Sequence, residues 1–273
     1  MSRAPRARGR IMVPRGRGGI PLRAIPPNVV TALALCVGLT SIRFAINGQW
    51  EVAVVMILAA ALLDGIDGRI ARFMRGESRF GAELDSLSDV IAFGVAPAVM
   101  LYLWSLQNLR GYGWMIALVH ALCCALRLAR FNAQIDLDHQ PHKSAGFLTG
   151  VPAPAGAMLA LAPLYLWIWS EDPLFRQPWL VGPWTALVAL LMVSSVATWS
   201  AASIRVKERV RFEVVVLLVV VAAAIVSAPW PALSVVMLLY LASIPLAMRR
   251  YARIRRLAEA PAGTPAAPGE PGA

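Results

Sequence analysis

Asp64, Asp67, Asp85 and Asp89 are the side chains of this 273-residue sequence best suited to chemistry, and their spacing says what kind. At about 100° per residue, the i, i+3 pair Asp64/Asp67 and the i, i+4 pair Asp85/Asp89 each occupy one face of a helix. Between the pairs, MRGESRF contains Gly76 and can reverse the chain, so that two antiparallel helices bring the acidic faces together. Four converging carboxylates repel unless cations neutralise them. Hard oxygen donors with no accompanying His or Cys favour Mg²⁺ or Mn²⁺, and four negative charges suit two divalent ions. Such a pair can clamp the attacking and leaving oxygens of a phosphoryl transfer. Small residues lie on nearly the same faces: Gly68 and Ala71 after Asp64, and Gly81 before Asp85. They allow close approach of a backbone or a bulky ligand, and Arg72 can bring a guanidinium to a phosphate. The competing reading pairs the acids with Arg69, Arg72, Arg75 and Arg79 at a membrane edge.

The elements that carry these residues are membrane helices. Hydrophobic residues make up 58% of the chain and charged ones only 15%, against about 25% charged in soluble domains. The apolar residues fall in long blocks such as Val29 to Ile42 and Val214 to Ser227, which read as membrane-spanning helices. A soluble enzyme, a secreted disulfide scaffold and a disordered protein are excluded. The expected fold is an all-α polytopic bundle of about eight spans, at roughly 29–46, 50–68, 86–106, 112–132, 151–170, 181–200, 212–228 and 231–248. With a cytoplasmic N-terminus, 23 of the 26 Lys and Arg fall on the inner side, and only Arg43, Arg110 and Arg176 on the outer. That asymmetry predicts a multi-pass protein of the cytoplasmic membrane with both termini and the acidic cluster facing the cytoplasm. Eight of the nine tryptophans fall near outer ends, the exception being Trp199. The net charge of +11 is then topology plus attraction to anionic headgroups, and basic tails without interleaved aromatics argue against a nucleic-acid partner. Cys36, Cys123 and Cys124 lie inside spans and read as buried small residues.

At this point the residues resemble a family. Asp64-x-x-Asp67-Gly68-x-x-Ala71-Arg72, eight residues, Gly81-x-x-x-Asp85-x-x-x-Asp89 matches the CDP-alcohol phosphotransferase signature at every fixed position. The resemblance implies an integral membrane enzyme that transfers a phosphate-linked group from a CDP-alcohol to an acceptor hydroxyl and releases CMP, with Mg²⁺ or Mn²⁺ as cofactor. It implies that Asp64, Asp67 and Asp85 hold the metals, and that Asp89 is a metal ligand, the base that deprotonates the acceptor, or both. Gly68, Ala71 and Arg72 would lie against the cytidine and its diphosphate, with Ser78 and Gly81 completing that wall. Asn28 and Thr31 resemble the family's first-helix segment that approaches the nucleotide; Asn28 also reads as a helix N-cap after two prolines.

GAELDSLSDVIAFGVAPA (81–98), LRLARFN (126–132), FLTGVPAPAGA (147–157) and LMVS (191–194) look like the bacterial phosphatidylserine synthase branch, whose substrates are CDP-diacylglycerol and L-serine. The similarity covers roughly residues 26–200, which gives an organisation of a basic arm (1–25), a six-helix catalytic core (26–200), two additional helices (201–250) and a disordered tail (251–273). Homodimers are common in the family. Arg127 and Arg130 are candidates for the acceptor's carboxylate or for phosphates, with positive-inside anchoring as the alternative. Asp136, Asp138, His139 and His142 match no familiar metal spacing and read, with Lys143, as a hydrophilic loop. His120 reads as a hydrogen-bonded packing residue. Pro152 and Pro154 mark the start of the fifth span and Pro163 a kink. Rival readings are another acceptor, glycerol phosphate or inositol phosphate, and, from a different class, a divalent-cation transporter.

Overall fold

The computed structural model describes residues 22–74, 76, 78–135, 147–194, 197–199 and 211–259. The arm up to residue 21, Arg75, the loop cluster at 136–143 and the tail from 260 lie outside the described residues. Helix α1 (Ile25–Ile46) starts with two prolines in its first turn, where their missing N–H groups cost nothing, and ends at Asn47. Gly48, at φ +71°, then turns the chain into α2 (Trp50–Met74). After the segment at Gly76, α3 (Arg79–Asp89), a π-helical turn (Val90–Val95) and α4 (Ala96–Trp104) run on as one span, Arg79–Trp104. Next come α5 (Tyr112–Ile135), α6 (Ala153–Ala160), α7 (Ala162–Ser170), α8 (Pro178–Val193), α9 (Arg211–Ser227) and α10 (Pro229–Glu259). α6 and α7 meet at a 42° bend beside Pro163, as its sequence position predicts.

Helices stand at all eight expected places, and the fold is an all-α bundle. By length and composition, four described helices can cross a membrane (Ile25–Ile46, Arg79–Trp104, Tyr112–Ala133, Pro229–Arg249), and the bent pair α6–α7 makes a fifth. α2 is long enough, but Glu51, Asp64, Asp67 and Arg69 leave it no apolar window of 18 residues with two or fewer charges. α8 and α9, at 16 and 17 residues, are shorter than the roughly 20 residues of a full crossing.

Three boundaries change. The sixth span was expected to reach 200, but α8 stops at Val193; Ala197–Trp199 forms strand β2, antiparallel to β1 (Phe147–Thr149), with Leu148 opposite Thr198. The tail was expected to begin at 251, whereas α10 continues to Glu259. Asn28 is not an N-cap: Ala24 holds that position, and Asn28 sits inside the first turns of α1.

What positions the acidic cluster is a close packing of small residues. α1 buries Pro27, Thr31, Ala34, Gly38, Ser41 and Ala45, a 3.5-residue repeat. α2 buries Ala53, Val54, Ile57 and Ala60 on the stripe that ends at Asp67. These residues let the backbones come close, so α2 delivers Asp67 against the start of α1. α1 also touches the π-turn: a Cβ on Gly38 would lie 2.7 Å from that of Ala92. Both acidic helices therefore pack on α1, which sets their mutual register.

Candidate active site

Carboxylate oxygens of Asp64, Asp67 and Asp85 lie within 4.8 Å of one another. Asp89, one turn beyond Asp85, shares a hydrogen bond with Asp64 across the helices. The four acids form one cluster, as the two spacings predict. Asp67 is almost fully buried, at 4% exposure, and its Oδ2 accepts a 2.6 Å hydrogen bond from Thr31 Oγ1. A hydrogen bond to a charged group contributes about 1.5–3 kcal/mol, enough to fix one orientation of that carboxylate. Among the described residues no Arg or Lys forms an ion pair with any of the four, which removes the pairing with Arg69, Arg72 and Arg79. An all-oxygen donor set with no ion-paired cation among the described residues fits a divalent cation.

Beside the cluster opens a cavity of about 410 Å³. Asn28, Thr31, Gly68, Ala71, Arg72, Ser78 and Gly81, the seven residues expected to form a nucleotide wall, all line it, together with Asp67 and Asp85. The two glycines serve different ends. A Cβ on Gly81 would sit 2.8 Å from Asn28 Oδ1 and 3.2 Å from Ser78 Oγ, so Gly81 permits α3 to pack on α1. Ser78 caps α3 by accepting from the Gly81 N–H at 3.0 Å. A Cβ on Gly68 would meet no protein atom within 4 Å. Its smallness keeps space open in the cavity and plays no part in helix packing.

The two candidate acceptor arginines part company. Arg127 is largely buried and lies within electrostatic reach of Asp89, Cys124 and Tyr240. Arg130 is exposed and lines no part of the cavity. Asp64 and Asp89 also do not line it, so the acids bridge two environments: the open cavity at Asp67 and Asp85, and the buried Arg127 beside Asp89.

Several contributors escape sequence reasoning. Phe131 lines the cavity from α5. Asn132 Nδ2 donates to Ser86 Oγ at 3.0 Å, tying α5 to α3 next to Asp85. Gly76, expected from the sequence to reverse the chain, also lies against the backbone ahead of α1, where a Cβ would overlap the Arg23 carbonyl. Phe131 and Asn132 stand in LRLARFN, a segment noted for its resemblance to the synthase branch and for its two cations, and spacing alone does not show which helix it meets.

The family model described as CDP-alcohol phosphatidyltransferase matches residues 24–184. A second, CDP-alcohol phosphatidyltransferase 2, matches residues 209–245, where the sequence offered no motif. Over 236 residues the chain is 39% identical to a CDP-diacylglycerol–serine O-phosphatidyltransferase of Mycobacterium tuberculosis, covering 86% of this chain and 82% of that protein. A protein of the same name from Mycobacterium leprae is 40% identical over 86% of this chain and 78% of its own length. An archaetidylserine synthase of Methanothermobacter thermautotrophicus is 35% identical over 48% of this chain and 54% of its own.

Proposed function

The chain belongs to the CDP-alcohol phosphatidyltransferase family, and from that premise we propose that it transfers the phosphatidyl group of CDP-diacylglycerol to the hydroxyl of L-serine, giving phosphatidylserine and CMP. The observation that carries the reaction class is the four-carboxylate cluster at the wall of a 410 Å³ cavity lined by the nucleotide-wall residues. Serine as acceptor is supported by the names of relatives that this chain matches over most of its length.

In this reading Asp64, Asp67, Asp85 and Asp89 hold two Mg²⁺ or Mn²⁺ ions. Bound cations neutralise the diphosphate and polarise its oxygens. Gly68 and Ala71 leave room for the cytidine, and Arg72 pairs with the diphosphate. Thr31 keeps Asp67 oriented. Serine enters on the Arg127 side, where the guanidinium binds its carboxylate and aims the hydroxyl. The serine oxygen attacks the phosphorus that bears diacylglycerol, and its proton passes to an Asp89 carboxylate oxygen. The bond from that phosphorus to the CMP phosphate oxygen breaks, and CMP leaves with the electron pair. Orientation and fixed charge supply most of the rate. Arg130, exposed on α5, anchors the inner membrane face. The positive-inside asymmetry supports a site and termini on the cytoplasmic side of the inner membrane, and the family match over residues 24–184 supports the six-helix core at 26–200 as the catalytic unit.

The test supplies CDP-diacylglycerol with serine, glycerol 3-phosphate or inositol phosphate, with and without Mg²⁺ or Mn²⁺, and identifies the lipid formed. Metal-dependent phosphatidylserine formation is expected. CMP release with glycerol 3-phosphate but not serine overturns the acceptor, and metal-independent release overturns the site.

A further inference from the structure

His120, Cys124 and Arg127 stand at i, i+4 and i+7 on α5 and share one face. That face meets the segment beginning directly after Asp89. Arg127 is near Asp89 itself. Cys124 packs on Gly94, where a Cβ would lie 2.9 Å from Cys124 Cβ and 3.2 Å from its Sγ. His120 is completely buried and lies against the Phe93 backbone, in a contact looser than a well-formed hydrogen bond. Neither ring nitrogen has another partner among the described residues.

The segment it faces is the π-turn Val90–Val95. Pro97 explains why the helix departs from α geometry there. An α-helix would bond the Phe93 carbonyl to the N–H four residues later, and that residue is Pro97, which has none. The ladder shifts by one, and the Ala96 N–H bonds the Ile91 carbonyl, five residues back. The Phe93 carbonyl, with no N–H on the fourth residue after it, thus faces a buried imidazole that needs an acceptor. π-turns inside α-helices frequently sit at functional sites; this one starts at the residue after Asp89, so its twist sets the direction in which the Asp89 carboxylate points.

We propose that His120 is a positioning residue: its ring N–H holds the Phe93 carbonyl, fixes the π-turn, and so aims Asp89 at the reacting end of the acidic cluster. The inference rests on the proposed role of Asp89 but not on the identity of the acceptor.

The test compares His120→Leu, which removes the donor, with His120→Gln, which keeps an N–H, each alone and combined with Pro97→Ala, which returns an N–H four residues after Phe93. CMP release is measured with whichever acceptor the wild type uses, alongside the KM for CDP-diacylglycerol, Mn²⁺ affinity and the Tm in detergent. His120→Leu is expected to lower kcat by roughly tenfold or more with the CDP-diacylglycerol KM within about twofold, since small misplacements of a reacting group act on the rate. His120→Gln and the Pro97→Ala/His120→Leu double variant recover most of that loss. Equal losses in the Leu and Gln variants at equal Tm, no loss in the Leu variant, or no rescue by Pro97→Ala each overturn the proposal. If His120→Leu does not fold, near-normal turnover of His120→Gln supports the donor role and impaired turnover overturns it. A wild type active only with another acceptor sinks the serine assignment and leaves this test intact.

Discussion

Two cavities of similar size, at opposite ends of the bundle, show how differently one chain uses enclosed space. The cavity beside the acids, about 410 Å³, is lined by carboxylates, hydroxyls, an arginine and small residues. The other, about 490 Å³, lies among α7, α8 and α10, bounded by Tyr165, Trp179, Trp184, Leu187, Met237 and Leu238. It is the larger and far more apolar of the two, and by shape alone the better place for a drug-like ligand. Yet the polar groups around it are turned away: Tyr165 donates its hydroxyl to the Met158 carbonyl and Trp184 its indole N–H to the Leu159 carbonyl. Among the described residues that line it there is no carboxylate, cation or thiol. In the smaller cavity, Thr31 holds the Asp67 carboxylate in place. Chemistry follows the convergence of oriented polar groups, and volume is a poor guide to it.

This contrast can be broken or sharpened by substitution, and the largest effect is expected at Asp89. Asp89→Asn preserves size and removes the carboxylate, so CMP release should fall by about 10²–10⁴-fold while the Tm in detergent stays close to wild type; wild-type turnover would reject its role. Gly68→Leu fills the nucleotide cavity without meeting protein atoms. Its KM for CDP-diacylglycerol should rise about tenfold or more, as a lost 1.4 kcal/mol requires, and its Tm should hold. Gly81→Leu, by contrast, should lower Tm as well, because Asn28 and Ser78 crowd that position. Thr31→Val removes the 2.6 Å hydrogen bond to Asp67 and should weaken Mn²⁺ binding by about tenfold, near the low end of such a bond's worth, read by titration of the free ion. The smallest effect is expected at the opposite end. Leu187→Ala in the apolar cavity should leave kcat and both KM values within about twofold, in line with substitutions away from special features. A loss there comparable to that of Gly68→Leu would erase the distinction between the two cavities.

Much of the acidic site is legible because it is local. Asp64/Asp67 and Asp85/Asp89 are helical neighbours, and the small residues between them follow the same period. The seven residues assigned to the nucleotide wall from the resemblance line one cavity because they belong to three segments that meet at α1. The packing of α1 on α2 is harder to read. Its 3.5-residue repeat is built of Thr, Ala, Gly and Ser, and in an apolar span these carry no hydropathy contrast, so a search for heptads of large apolar residues passes over it. The end of α8 at Val193 and the β1–β2 pairing depend on contact between segments some 50 residues apart, which no local pattern encodes. Asn28 misleads for another reason: two prolines look like the residues before a cap, but they sit inside the first turn of a helix already begun.

The sequence by itself determined the membrane setting, the helical bundle and the identity of the four carboxylates, since hydropathy, periodicity and residue type act over a few turns of one helix. Only the tertiary structure decided that Arg127 and not Arg130 stands beside Asp89, that Asn132 ties α5 to α3, and that His120 meets the turn opened by Pro97. Each of these depends on the rotation of α5 about its axis. That angle is set by how Gly94 and Cys124 interlock across two helices, a steric fit between residues distant in the chain.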